Sequence, residues 1–112
     1  MNDTRTEVVD AKDFNDRNFS YLTQNFYVIR SALRYYSVRL GKSFTSSNLA
    51  EDFPLTVPVA ASCLNVLKDL DVVEARTQSS SPDRYMPETV DMEKFEEIGK
   101  ILRENKEIQE FR

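Results

Sequence analysis

From Leu22 onward, apolar residues recur at steps of four, three, four, three and four: Leu22, Phe26, Ile29, Leu33, Tyr36 and Leu40. That rhythm lays one apolar stripe along about five turns of α-helix. A chain of 112 residues has room for one domain built around such an element. Ser20 is the expected N-cap, and Gly41 stands where a left-handed residue closes a helix. Tyr27, Arg30, Arg34 and Val38 fall on another face and make a basic, aromatic flank. The polar residues 1–17 show no sustained period and are expected to form a flexible arm.

Punctuation divides the rest. Thr45 or a neighbouring serine caps a second, short helix whose inward residues are Leu49, Ala50 and Phe53, and Pro54 stops it. Thr56 offers a fresh cap with Pro58 tolerated in the first turn. The third helix then buries Val59, Cys63, Leu67 and Leu70, leaving Pro58, Ala61, Ser62, Asn65 and Lys68 opposite. Asp71 marks its end, because Asp enters the left-handed region more readily than most residues. Residues 72–78 (VVEARTQ) read as a strand, residues 79–83 as a serine-rich turn, and Arg84-Tyr85-Met86 as the returning strand before Pro87. Asp91 caps a last helix bearing Met92, Phe95, Ile98 and Leu102, with Ile108 and the polar Asn105 and Gln109 further along. The fold class expected is mainly α with a small β-hairpin.

Composition removes whole classes of function. There is no His, one Cys and only two glycines, so disulfides, Cys-based zinc sites and Gly-rich phosphate cradles are out of reach. No apolar run approaches the roughly 20 residues of a membrane span, and no signal pattern opens the chain. A reducing, cytoplasmic home without cofactor or metal is the expectation, and an enzyme is not. Paired acids such as Glu51-Asp52 and Glu96-Glu97 read as solvated surface, since neighbours on a helix point apart. The net charge of −4 hides a marked asymmetry. Residues 17–50 hold Arg17, Arg30, Arg34, Arg39 and Lys42 with no acid, while 1–16, 51–87 and 88–112 each carry an acidic excess. A face suited to an anion is implied.

Phe44 to Ala50 as second helix, Thr56 to Leu64 as third, and the exit through residues 67–73 resemble the winged helix-turn-helix transcription regulators. The resemblance spans about residues 20–87, and the flanking helices make it similar to the small dimeric PadR- and MarR-like regulators. It implies a winged helix-turn-helix domain over 18–87, with a long N-terminal helix, and a C-terminal dimerisation helix over 88–112. It further implies a homodimer on double-stranded DNA. The third helix would lie in the major groove and the hairpin wing on the backbone or minor groove. The residues this assigns to DNA are Thr56, Ser62, Asn65 and Lys68 on the helix, Arg76, Ser80 and Arg84 on the wing, and Arg34 and Lys42 as phosphate anchors. For Arg30, Arg34, Arg39 and Lys42 the equal alternative is ion pairing with acids of the last helix, such as Glu96 or Glu97. Met92, Phe95, Ile98 and Leu102 are assigned to the dimer seam, where Gly99 would admit a partner helix. Two features depart from the family pattern. Asp71 replaces the usual glycine before the wing, and the third-helix face has little base-reading chemistry, with no Arg, Gln or Glu among Thr56, Pro58, Ala61, Ser62 and Asn65. Asn65 is its best candidate, and Lys68 lies deeper along the helix. The competing expectation is a winged-helix protein-interaction module that binds no DNA. Cys63, inside the apolar stripe, reads as core filler before redox sensor.

Overall fold

The computed structural model describes residues 17–76 and 83–110. The expected arm, apart from Arg17, and the serine tip with Ser80 lie outside that range.

Helix α1 (Arg17–Gln24) and helix α2 (Phe26–Arg34) carry the first half of the long stripe, followed by a π-helical segment, Tyr35–Leu40. The helix therefore starts before Ser20, which lies inside α1 and caps nothing. The expected single helix is interrupted at Asn25 (φ −116°, ψ 20°). There the side-chain amide donates to the Tyr21 carbonyl at 2.9 Å, alongside the backbone N–H of Asn25 at 3.1 Å. Asn competes with the helix backbone in this way, which sequence periodicity does not register. Leu22, Phe26, Ile29, Leu33 and Tyr36 are buried, as their spacing requires. Leu40 departs from it: the wider π turn leaves it 44% exposed. Gly41 closes the segment at φ 61°, and the N–H groups of Gly41 and Lys42 both donate to the Tyr36 carbonyl.

Helix α3 (Ser46–Asp52) begins with a reciprocal capping box between Thr45 and Asn48. It ends at an extended Phe53, the conformation that the following proline favours. Helix α4 (Val57–Asp69) is capped by the Thr56 hydroxyl, which accepts the Val59 N–H at 3.3 Å. Beyond Cys63, Leu67 and Leu70 it also buries Ala60, Leu64 and Val66, while Val59 is half-buried. Its exit is a Schellman motif: Val72 donates to the Leu67 carbonyl at 2.8 Å and Asp71 to that of Lys68 at 3.0 Å. Asp71 occupies the left-handed position at φ 62°.

Strand β1 (Ala75–Arg76) pairs antiparallel with strand β2 (Arg84–Tyr85), Ala75 opposite Tyr85 and Arg76 opposite Arg84. The expected strand over 72–78 is thus shorter among the described residues. Val72 and Val73 are both buried, which alternation in a half-exposed strand cannot achieve. Phe44, read as part of the second helix, instead bridges Tyr85, each N–H donating to the other's carbonyl at 3.0 and 2.7 Å. A 3-10 turn, Pro87–Thr89, leads to helix α5 (Met92–Glu110), whose first turn is capped when Asp91 Oδ1 accepts the Lys94 N–H at 3.0 Å.

Helix α1 packs on α4, α4 on α3, and α5 lies over α1 and α2. The last contact is tight: the Phe26 and Phe95 rings stack with centroids 4.3 Å apart. A Cβ at Gly99 would overlap the Phe26 ring. Gly99→Ala is therefore expected to cost about 1–3 kcal/mol by overpacking, measured by urea unfolding. Asp71→Gly should have the opposite sign, gaining on the order of 1 kcal/mol by relieving the left-handed side chain.

Candidate nucleic-acid interface

The residues assigned to DNA separate into three settings. On α4, Thr56 is exposed, but its hydroxyl already caps the helix. Ser62 is half-buried, and Asn65 is exposed. Lys68 is tied down: its Nζ donates to Asp83 Oδ2 at 3.2 Å, which links α4 to the residue preceding β2. Asp83 read as turn chemistry alone, and nothing in its spacing from Lys68 announces the pair.

The hairpin supplies the second setting. Arg76 and Arg84 face each other across the strand pair and are both exposed. Like charges directly opposite destabilise a strand pair. No acid among the described residues forms an ion pair with either arginine. Arg84 Nη1 donates to Ser43 Oγ at 3.3 Å, so this guanidinium lies beside the segment carrying Lys42. Lys42 and Arg84 line the same cavity, and the structure thus gathers two of the assigned cations. Ser43 was not visible as a site residue, because its role depends on Phe44 joining the sheet.

Arg34 belongs to a third setting, away from these groups in its bonding. Arg30 Nε donates to Glu96 Oε2 at 2.6 Å, and Arg34 Nη2 lies 3.7 Å from the same oxygen. Much of the basic flank of α2 is therefore matched by α5. All these side chains are at least one-third exposed, so the pairs contribute modestly to stability.

The residues expected at a dimer seam are inside the chain's own core. Phe95, Ile98 and Leu102 are 0%, 2% and 4% exposed, and Met92 is half-buried. The close approach that Gly99 permits is made by Phe26 of the same chain. The corresponding surface is not open to a second copy in this structure. Among the described residues, no group of three His, Cys, Asp or Glu side chains is placed to hold a metal, and no helix is long and apolar enough to cross a membrane.

Cys63 is buried, and desolvation raises its thiol from the ordinary value of 9.0 to about 11. Such a thiol stays protonated and unreactive near neutrality. Desolvation, with Asp83 and Asp69 nearby, also lifts Tyr85 to about 12. Both acids are weaker when folded, so their contribution to stability is complete below pH 9 and is lost as pH rises through their folded values. Unfolding free energy should therefore fall between about pH 9 and 12. Thiol labelling at pH 8 should track global unfolding rather than bulk exposure.

No protein-family model, curated protein or solved structure matches the chain in comparison.

Proposed function

We propose that this protein is a DNA-binding transcription regulator of the winged helix-turn-helix kind, with α4 as the groove-entering helix and the β1–β2 hairpin as the wing. The observation that carries the reading is the unneutralised pair Arg76–Arg84, held opposite each other on the hairpin that follows the α3–α4 helix pair. Two guanidinium groups in that register are stabilised by a polyanion lying across them, and DNA phosphates are such a polyanion. The Phe44–Tyr85 bridge adds support, since it joins the hairpin to the segment before α3. Asn65 and Ser62 on α4 then meet base edges, while Thr56, Arg84 and Lys42 meet the backbone. A two-fold dimer would use a surface other than the buried Phe95–Leu102 side of α5. The exposed Tyr27 and Val38, with Arg34 between them on the outer face of α2 and the π segment, offer one.

A protein-interaction module of the same fold is the second reading. It draws on the Lys68–Asp83 pair, which neutralises the one lysine of α4, and on the acidic net charge.

Fluorescence anisotropy with duplex DNA from the chain's own upstream region, against scrambled duplex across a range of salt, separates the two. A regulator binds the native duplex preferentially. Arg76→Ala and Arg84→Ala each weaken binding to both duplexes and reduce the log–log salt slope by about 0.9. Asn65→Ala costs about 1–3 kcal/mol on the native duplex alone. Absence of binding at every salt concentration would leave the interaction module.

A further inference from the structure

At the π-helical end of the first helical run lies a cleft of about 460 Å³, open to solvent on one side. Its walls come from four separate places: Tyr36 and Leu40 of the π segment, Lys42 and Ser43 after it, Asn48 and Asp52 of α3, and Arg84 of β2.

Its charges are arranged unusually. Lys42 and Arg84 are exposed cations without an acidic partner among the described residues. Asp52 lines the same cavity, yet it makes no ion pair with either. Instead its Oδ2 accepts the Tyr36 hydroxyl at 2.6 Å, and no hydrogen bond to Oδ1 joins it to another described residue. Burial, with Asp52 alongside, raises the Tyr36 phenol well above its ordinary range, so it remains a donor that orients the carboxylate. The Asn48 side chain is held by the capping box through Oδ1, which accepts the Thr45 N–H at 2.9 Å. Its amide nitrogen is left as a further donor.

The backbone is unusual at the same place. Six residues of π-helix are rare, and π turns gather at functional sites. This one lifts Leu40 out of the core position its spacing predicts and leaves it as an apolar wall of the cavity. A local rule broken beside separated, oriented charges is the pattern of a site.

We propose that this cavity binds a small hydroxylated organic anion. Lys42 and Arg84 hold the anionic group, Ser43 and Asn48 add hydrogen bonds, and Asp52 accepts from a hydroxyl at the other end. A phosphate ester and a carboxylate share that chemistry. On the DNA-binding reading proposed above, on which this last step alone rests, the ligand competes with a DNA phosphate for Arg84 and acts as a negative effector.

The test titrates the ¹⁵N-labelled full chain with sn-glycerol 3-phosphate, glycerate and inorganic phosphate, following amide shifts by NMR. The expected result is saturable shifts at Ser43, Asn48 and Arg84 with at least one of the two hydroxylated anions. Affinity should drop about tenfold or more in Lys42→Gln and in Arg84→Gln, each about 1.4 kcal/mol. Asp52→Asn should weaken the hydroxylated anion and leave inorganic phosphate unchanged. The dispersion of each variant's spectrum reports its folding, and Lys42→Gln, at an exposed side chain, serves if Arg84→Gln unfolds. Non-saturating shifts with both hydroxylated anions would overturn the site. So would inorganic phosphate binding as tightly as they do. Repeating the DNA titration with saturating ligand tests the competition separately. Ligand binding without any DNA binding would retain the site and remove the regulator, whereas DNA affinity unchanged by ligand would overturn the competition.

Discussion

Tyr36, Phe44 and Tyr85 stack in succession, with ring centroids 4.9 and 5.7 Å apart, and the rest of the structure hangs on that column. Each ring comes from a different part of the chain: the π segment, the residue before α3, and β2. Among the described residues the hairpin pairs two residues on each strand, and an isolated two-stranded hairpin has little stability alone. Its position comes from Tyr85, which is buried in the column and bonded on both backbone groups to Phe44. Stacked pairs of this kind add about 0.5–1.5 kcal/mol each beyond their buried area. The hydroxyl of Tyr36 extends the same column to Asp52 on α3, so helix, sheet and cavity share one support.

A second aromatic contact decides the fate of α5. Phe26 stacks on Phe95 over a glycine that leaves room for the ring, and Glu96 reaches back to Arg30 and Arg34. Together these account for the positive excess of residues 17–50 in part by an intrachain match. Within that segment Arg39 and Lys42 form no ion pair with a described residue, and at the sheet Arg76 and Arg84 form none either. Two of the five cations of that segment, Arg30 and Arg34, thus share a single carboxylate of the same chain.

The local elements were largely legible. The spacing of Leu22 to Tyr36, the Thr45 and Thr56 caps, the Pro54 break, the left-handed Gly41 and Asp71, and the Asp91 cap all act within a few residues, where sequence carries the information directly. Errors arose where distant groups intervened. Asn25 bonds to the preceding turn and breaks the helix, Phe44 leaves a helix to meet Tyr85, and Val72 and Val73 turn into the core rather than alternate. Among the site residues, Asn65, Arg76 and Arg84 are exposed as their positions suggested, whereas Lys68 is engaged by Asp83.

From its residues alone, this chain determines helix periodicity, most helix ends and the asymmetry of its charges, because each depends on backbone preference or on spacing along one element. Tertiary structure alone decided what Gly99 admits, which cations stay unpaired, and that Lys42, Asp52 and Arg84 share a cavity. An apolar stripe on a helix states that something must cover it, and a free charge states that something must solvate or pair it. Neither states what does so, since the partner is chosen by packing between residues tens of positions apart.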